Sequence, residues 1–389
     1  MTKNHLSTTA AEQVNEERLL TLFLEIAKIN GPSMREQPVA DFLVKALTEL
    51  GFTLEFDEAH KSFNGEVGNL IAWREGTDSS IPPLFFSTHM DTVLPTKGLQ
   101  PIIKEGVIYS DGTTILGADD RAALAAYLEG VQAIIESGVP HGPIELILTV
   151  NEQKGLVGAA HMDYSKAKSK VGYIFDSSGD VGQIILKGPY SSRIWMDVKG
   201  NAAHIALNAE EGNSAFLIAA EGLLNMNLGS IDEETLANIG IMEGGELTSI
   251  IPGFVTVAGE VRSFSKEKLE QQLKHMEEVM IEAAEKKGGK VSIRIEKKYS
   301  GFDIPKDHVL TKTVESAAQN IKVKPYLTET LGGADTNVLN ENGLTCLTLG
   351  NGFQNIHSFR ESISVENLIN TGRLTAALIE QWYENHKQA

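Results

Sequence analysis

The apolar run at residues 84–93, LFFSTHMDTV, ends in a polar turn that carries His89 and Asp91. The run follows Pro83 and is typical of a buried strand, so His89 stands at the strand's carboxyl end, where open α/β sheets bind ligands. Asp91 is placed to accept the proton of one imidazole nitrogen, which leaves the other nitrogen for a metal. The pattern predicts an α/β sheet with a metal ligand at its edge. The alternative is a strand-end histidine beside an unrelated aspartate.

Other apolar runs also end in side chains that can bind a metal. The predicted strand in IELILTVNEQ is followed by Glu152 and Gln153, and the strand VGYIF is followed by Asp176. Asp119 precedes an amphipathic helix, and His357 follows the strand TCLTLG. This mixture of imidazole and carboxylate suits zinc, with manganese or cobalt as alternatives, and it is large enough for two ions. The alternatives are a helix cap for Asp119, a turn residue for Asp176 and a surface histidine at 357.

Length, charge and hydrophobicity exclude several classes of protein. The 389 residues are too many for one small core and suggest two domains, and the formal net charge of −18 opposes nucleic-acid binding. No window approaches eighteen continuous apolar residues, and the amino-terminal segment lacks the apolar core of an export signal. The single cysteine, Cys346, lies in the apolar run LTCLTL and is expected to be a buried, inert thiol. We therefore predict a cytoplasmic protein that binds neither nucleic acid nor membrane.

The order of predicted elements indicates an inserted domain. Two helices, at residues 12–29 and from a Ser33–Glu36 capping box to Leu50, precede the first strands, and a long helix at 365–386 ends the chain. Near Gly188 the buried runs give way to amphipathic strands in the order strand-helix-strand-strand-helix-strand, which is the split βαβ arrangement. We predict a catalytic domain at 1–188 and 303–389, with an inserted domain at 189–302.

Five motifs, in this order along the chain, resemble those of one enzyme group. STHMDT, GADD, NEQKGLVGA, FDSSG and NIHSFRE are similar in sequence and spacing to motifs of the di-zinc exopeptidases related to peptidase T, aminoacylase and carboxypeptidase G, and peptidase T-like proteins are the most similar. The resemblance covers nearly the whole chain. It implies a three-layer αβα zinc-peptidase domain with an inserted α+β, ferredoxin-like lid that forms a homodimer.

The resemblance also implies a role for each site residue. His89 and Asp176 would bind one zinc, Asp119 would bridge both ions, and His357 would bind the other. Glu152 would be the general base, Asp91 would orient His89, and the link between Asp119 and Asp120 is often a cis peptide in the family.

The sequence departs from the family pattern at Gln153, where a second glutamate usually binds the His357 ion. A neutral amide oxygen lacks the charge of a carboxylate, so this site is expected to be weak, empty or selective for another ion. Arg121 replaces the usual lysine after the paired aspartates and keeps its charge.

Further resemblance lies in the lid and in the loop that follows it. His204 matches a histidine that stabilises the oxyanion in a neighbouring subunit's site, although His-Ile-Ala replaces the usual His-Ala-Gly. Arg262 matches an arginine that meets a substrate carboxylate, and a solvated strand-edge arginine is the alternative. Gly332, Gly333 and Asp335 match a loop that lines the substrate cleft.

Taken together, these features predict a zinc-dependent exopeptidase that hydrolyses short peptides, in the manner of a tripeptide aminopeptidase, through a zinc-bound hydroxide with Glu152 as general base. One alternative is an amidohydrolase of N-acyl amino acids or other small amides. Another is a catalytically silent metal-binding homologue, which Gln153 suggests.

Overall fold

The structure, a computed structural model, describes residues 9–387. Within this range the α-helices are, in chain order, α1 (Glu16–Lys28), α2 (Gln37–Glu49), α3 (Ala118–Ser137), α4 (Val157–Ala160), α5 (Ala215–Asn225), α6 (Lys266–Lys286), α7 (Val309–Asn320), α8 (Asp335–Glu341) and α9 (Val365–His386). The strands are β1 (Thr53–Phe56), β2 (Leu70–Arg74), β3 (Leu84–His89), β4 (Ile102–Lys104), β5 (Val107–Tyr109), β6 (Ile144–Thr149), β7 (Val171–Phe175), β8 (Gln183–Gly188), β9 (Tyr190–Lys199), β10 (Ala203–His204), β11 (Gly229–Ser230), β12 (Thr235–Gly244), β13 (Ile250–Ile251), β14 (Phe254–Ser263), β15 (Lys290–Tyr299), β16 (Phe302–Asp303), β17 (Tyr326–Glu329), β18 (Thr345–Leu349), β19 (Phe353–Gln354) and β20 (Ser362–Ser364).

The chain divides into two compact units. The first contains the described residues of Met1–Leu186, Ile304–Glu329 and Ala334–Ala389, and the second contains Lys187–Asp303 and Thr330–Gly333. The short segment Thr330–Gly333 groups with the second unit although it follows the chain's return to the first. The roles predicted for the two domains, catalysis and a dimerising lid, stay predictions.

The first unit is built on a mixed sheet with the strand order β1-β2-β6-β3-β7-β18-β8. Its centre is parallel, because β3 pairs with β6 on one side and β7 on the other, and β7 pairs with β18. Every residue of β3 and β6 is buried, as expected for parallel strands covered on both faces. The carboxyl ends of β3, β6 and β7 therefore lie at one edge of the sheet, and the predicted α/β fold class is confirmed.

Helices of the first unit follow the predicted apolar spacing. Leu19, Phe23 and Ile26 of α1 are buried, and α3 packs against both α1 and α9. Helix α9 has the predicted bounds.

The predicted Ser33–Glu36 capping box is wrong. Helix α2 begins at Gln37, after Glu36 as N-cap, and the Glu36 side chain makes no cap hydrogen bond there. Instead, the Ser33 hydroxyl donates to Asp91, and Glu36 accepts from the backbone of Met34 and Asn151. The carboxylate of Asp91 and the amide of Asn151, both distant in sequence, compete successfully for the Ser33 and Glu36 side chains, because a buried polar group without a partner is costly.

The second unit contains an antiparallel sheet in the order β11-β12-β14-β9-β15. Helices α5 and α6 pack against each other and against this sheet, which confirms the predicted α+β, ferredoxin-like order of elements. Its core is apolar and includes Ile194, Met196, Val257, Met276 and Met280.

Within residues 9–387, no helix combines the length and the apolarity that crossing a membrane requires.

Candidate metal centre

His89 ends β3 and is buried, and both of its imidazole nitrogens have partners. Its Nδ1 lies 2.9 Å from the carbonyl oxygen of Asp91 and 3.4 Å from Asp91 Oδ1, while its Nε2 lies 3.1 Å from Asp119 Oδ1. Two acceptors around Nδ1 favour a proton there, which leaves Nε2 for a cation. The sequence predicts that the Asp91 carboxylate has this role. In the structure the nearer acceptor is the Asp91 main-chain carbonyl, because the turn after β3 bends it back onto the ring.

Asp119 lies between two histidines, with one carboxylate oxygen facing each of them. Its Oδ1 contacts His89, and its Oδ2 lies 3.0 Å from His357 Nε2 and accepts a 3.0 Å hydrogen bond from Gln153 Nε2. Burial raises the pKa of Asp119, but its interactions with the imidazoles of His357 and His89 outweigh burial and hold this pKa below its ordinary value. One carboxylate thus contacts both histidines, and its role as a bridge between two ions stays a prediction.

Glu361 holds the backbone of Asp119 in place. The amides of Asp119 and Gly117 donate to its Oε1 and Oε2, at 3.0 and 2.7 Å. Burial raises the pKa of Glu361 to about 7, although these backbone hydrogen bonds oppose the shift. The peptide bond between Asp119 and Asp120 is cis, as the family resemblance implies. Glu361 is not among the residues predicted from the sequence, where its signal is its place four residues after His357 in NIHSFRE.

Three potential ligand atoms, one from each of His89, Asp120 and Asp176, lie within 4.8 Å of one another. Protein donors engage both oxygens of Asp120, because Thr88 Oγ1 donates to Oδ2 and Asn351 Nδ2 donates to Oδ1 at 2.9 Å. Asp176 differs, since no side-chain hydrogen bond reaches its carboxylate within residues 9–387. Burial and then a neighbouring negative charge raise the pKa of Asp176 to about 7. Of these two aspartates, Asp176 has the carboxylate that is available to a cation.

Glu152 follows β6, and its carboxylate faces the same cluster. Its Oε2 lies 3.9 Å from His89 Nε2, and no side-chain hydrogen bond reaches it in the described part of the chain. Burial raises the pKa of Glu152 well above its ordinary value, and the negative charges of Asp176 and Asp335 add to this effect against the opposing charge of His89. A buried carboxyl group with a raised pKa and no partner is a candidate proton carrier.

This set of donors fits a divalent metal. Two imidazoles and several carboxyl groups converge, and burial with neighbouring negative charge raises the pKa of both Asp176 and Glu152. A cation would favour the ionised carboxylates, and nitrogen and oxygen donors of this kind suit zinc, cobalt or manganese. The ligands predicted from the sequence are His89, Asp119, Gln153, Asp176 and His357, and this full set stays a prediction. The structure brings ligand atoms of His89 and Asp176 together with Asp120, while Gln153 and His357 contact Asp119.

Asp335, predicted to line the substrate cleft, is buried in the first unit. Thr149 Oγ1 donates to its Oδ2, and its Oδ1 has no hydrogen-bond partner within residues 9–387. Burial raises the pKa of Asp335 to about 6, against the hydrogen bond from Thr149. Its position ties the start of α8 to the end of β6, and its role toward substrate stays a prediction.

Arg262 and Gly333 belong to the second unit. The Arg262 guanidinium donates from Nε to Glu260 Oε1 at 2.7 Å and from Nη1 to the carbonyl oxygen of Leu331 at 3.0 Å. A Cβ atom at Gly333 would lie 2.1 Å from the Tyr299 hydroxyl oxygen, so only glycine fits there. Arg262 and Gly333 therefore both hold the segment Thr330–Gly333 against the second unit.

His204 also belongs to the second unit, where it ends the two-residue strand β10. Its Nδ1 accepts a 3.2 Å hydrogen bond from the amide of Ala206, and its own amide donates to Asn208 Oδ1. Its Nε2 has no partner in the described residues, so this nitrogen is available to a ligand.

Known proteins share this sequence and fold. Residues 85–381 match the model of peptidase family M20/M25/M40. The crystal structure of aminopeptidase PepT from Bacillus cereus ATCC 10987 is 38% identical, with a TM-score of 0.88 over 95% of this chain and 99% of that one. A tripeptidase structure from Staphylococcus aureus subsp. aureus mu50 is 36% identical, with a TM-score of 0.91 over 96% and 100%. The Bacillus subtilis (strain 168) protein YqjE is 37% identical over 95% of this chain and 99% of its own length.

Proposed function

The chain belongs to peptidase family M20/M25/M40 and is a hydrolytic metallopeptidase, and on this premise we propose that it is an aminopeptidase of short peptides, tripeptides above all. The predicted resemblance to peptidase T-like enzymes is confirmed by the similarity to aminopeptidase PepT. The observation that carries the proposal is the Asp119 carboxylate, contacted by His89 and His357 on separate oxygens, close to the unpartnered carboxylate of Glu152. The two solved relatives are an aminopeptidase and a tripeptidase, which supports short peptides as the substrate class.

The proposed cofactor is zinc, with cobalt and manganese as alternatives. A bound divalent metal would lower the pKa of a water molecule and polarise the scissile carbonyl. His89, Asp119, Gln153, Asp176 and His357 are the residues that would hold the metal.

Glu152 carries the proton in the proposed reaction. Its carboxylate accepts a proton from the attacking water and delivers it to the nitrogen of the leaving amine as the peptide bond breaks, which yields a carboxylic acid and an amine. A raised pKa suits this double role, because the group must hold the proton between the two steps. Asp91 supports the reaction by keeping the His89 proton on Nδ1.

The second unit is proposed to contact the substrate. Arg262 would bind a peptide carboxylate with the planar fork of its guanidinium, and His204 would donate to the developing oxyanion. Gly333 and Asp335 belong to the loop proposed to line the cleft. These assignments rest on the family resemblance together with the available His204 Nε2.

A homodimer through the second unit is part of the proposal. Leu217 and Leu224 stand seven positions apart on α5 and are 64% and 85% exposed, so they form an apolar stripe on one face. Strand β12 is paired at its outer edge only through the two residues of β11, so most of that edge is available. A cytoplasmic location is also proposed, on the evidence of the single buried thiol of Cys346.

A substrate panel tests the proposed activity. The purified protein with added zinc or cobalt would be assayed on a free tripeptide, the same tripeptide acetylated at its amino terminus, a dipeptide and an N-acyl amino acid. We expect release of the first residue from the free tripeptide, with the acetylated form resistant. Preferred cleavage of the N-acyl amino acid would favour the amidohydrolase alternative, and inactivity on every substrate with metal bound would favour the silent homologue.

A further inference from the structure

Four consecutive backbone amides, those of residues 150–153, donate to buried side chains. The amide of Val150 donates to Asn69 Oδ1 at 3.0 Å, and the amide of Asn151 donates to Glu36 Oε1 at 3.0 Å. The amides of Glu152 and Gln153 donate to Asp91 Oδ1 and Oδ2, at 3.0 and 3.2 Å. The three acceptor residues come from distant parts of the sequence and have no solvent exposure. This loop, which carries the proposed general base, is therefore held residue by residue.

The loop needs these acceptors because its backbone leaves the sheet at this point. Strand β6 ends at Thr149, and Asn151 has φ of +54°, in the left-handed region that a strand or right-handed helix cannot use. A buried amide without an acceptor costs about 1–3 kcal/mol, so each side chain both stabilises the loop and selects this conformation of it.

The segment at residues 33–36 supplies two supports at once. Glu36 Oε1 accepts from the amides of both Asn151 and Met34, at 3.0 and 2.8 Å, and the Ser33 hydroxyl donates to Asp91 Oδ2 at 2.6 Å. One short segment therefore holds the loop directly through Glu36 and indirectly through Asp91.

Arg121 provides the counter-charge for these two carboxylates. Its side chain is fully buried, Nη2 donates to the carbonyl oxygen of Gly31 at 3.1 Å, and its Nε and Nη1 have no hydrogen-bond partner within residues 9–387. Its positive charge acts on Asp91 and Glu36 through space.

We propose that Glu36 is a positioning residue of the peptidase reaction, which holds the amide of Asn151 and thereby places the carboxylate of Glu152. This inference rests on the proposed function, in which Glu152 transfers the proton. A displacement of about 1 Å at a reacting group can lower the rate about 10²-fold, so loss of one hydrogen bond in this loop has a measurable effect.

Two substitutions of Glu36 separate its hydrogen bond from its other roles. Glu36→Gln keeps an acceptor oxygen, whereas Glu36→Met has similar length and no acceptor. We expect Glu36→Met to lower kcat about 10–100-fold with little change in KM, and Glu36→Gln to recover most of that loss. Equal kcat values in the two variants would overturn the positioning role.

Glu145 provides a matched control at the opposite end of β6. It is also a fully buried glutamate, and its carboxylate accepts from the amides of Lys168 and Ser169 at 3.0 and 2.7 Å. Glu145 lies at the amino end of β6, whereas the metal centre lies at the carboxyl end. Glu145→Met should reduce thermal stability as Glu36→Met does, yet leave the kcat of the folded protein unchanged. A comparable fall in kcat for Glu145→Met would mean that loss of stability alone explains the effect.

Hydrogen exchange provides a readout that does not depend on activity. Mass spectrometry of the peptide at residues 150–156 should show faster amide exchange in Glu36→Met than in the wild type, Glu36→Gln or Glu145→Met. Unchanged exchange in this peptide would overturn the inference whatever the kinetics show. If the wild type cleaves no substrate, the proposed function fails, and exchange still decides whether Glu36 holds the loop.

Discussion

The two units differ in the side chains that fill their interiors, which are carboxyl groups at the strand ends of the first unit and apolar groups in the second. The first brings together the buried carboxyl groups of Asp119 and Glu152 and the partly exposed Asp176, and burial with neighbouring negative charge raises the pKa of Asp176 and Glu152. The second is filled by apolar side chains from its sheet and from α5 and α6. Burial of apolar surface stabilises a fold, whereas crowded like charges oppose folding. The first interior is thus organised for metal binding at a cost in stability, and the second is organised for stability.

This contrast is tested most severely by Glu152→Gln. We expect kcat on a tripeptide to fall by at least ~10²–10⁴-fold, because the proton carrier is lost. Metal content and fold should persist, and the melting temperature should stay the same or rise, since one member of a repelling set becomes neutral. Kinetics, metal analysis and thermal unfolding would be measured on one preparation. Near-normal turnover would remove Glu152 from the mechanism.

Met280→Ala tests the other interior. Met280 is fully buried on α6, beside Gly222, and its truncation should lower the free energy of unfolding by about 2–5 kcal/mol through the cavity it leaves. The exposed Glu282 on the same helix is the control, with a change within about 0.5 kcal/mol expected for Glu282→Ala. The kcat of folded Met280→Ala should match the wild type, and a large loss would mean that the two interiors are not separate in function.

His204→Ala tests whether the second unit takes part in catalysis. An oxyanion donor acts mainly in the transition state, so kcat should fall by an amount equivalent to about 2.7–4 kcal/mol, while KM and thermal stability change little. Light scattering at assay concentration would be measured in parallel, with a dimer expected. A fully active monomer would contradict action across a subunit boundary, and an unchanged kcat would confine catalysis to the first unit.

Metal removal should weaken the first unit selectively. A ligand present at about a hundred times its dissociation constant stabilises the folded state by about 2.7 kcal/mol, so a chelator should lower the melting temperature, and added zinc should restore it. Met280→Ala and wild type should lose the same increment, since the second core holds no proposed ligand. A chelator that leaves calorimetric unfolding unchanged would contradict a metal in this cluster.

The smallest expected effect concerns Gln153→Glu. A carboxylate adds a full charge beside the second ion, so we expect metal affinity there to rise about tenfold, or about 1.4 kcal/mol. The opposing possibility arises from the structure, in which Gln153 donates to Asp119, so that a glutamate would add repulsion against Asp119 and Glu152. Calorimetric titration of both variants decides between them, and equal affinities would show that the missing charge does not weaken the site.

Local patterns predicted much of this protein correctly. Apolar spacing identified β3, β6, β7 and the bounds of α9, and the change of pattern near Gly188 indicated the second unit's order of elements. The same patterns failed where a polar side chain had both a local and a distant use. Ser33 and Glu36 have the spacing of a capping box, yet Ser33 donates to Asp91 and Glu36 accepts from Asn151, because buried polar groups have no solvent to replace a missing partner.

The sequence by itself determined which polar residues stand at the ends of buried strands, because alternation, helical spacing and chain breakers act over a few neighbouring residues. Only the tertiary structure decided which of these residues meet. Glu361 reaches the amide of Asp119 across 242 positions of sequence, and Asn69, Glu36 and Asp91 converge on one loop from separate segments. The physical reason is that a buried donor is satisfied by whichever acceptor the packed elements bring within about 3 Å, and no local pattern records that proximity.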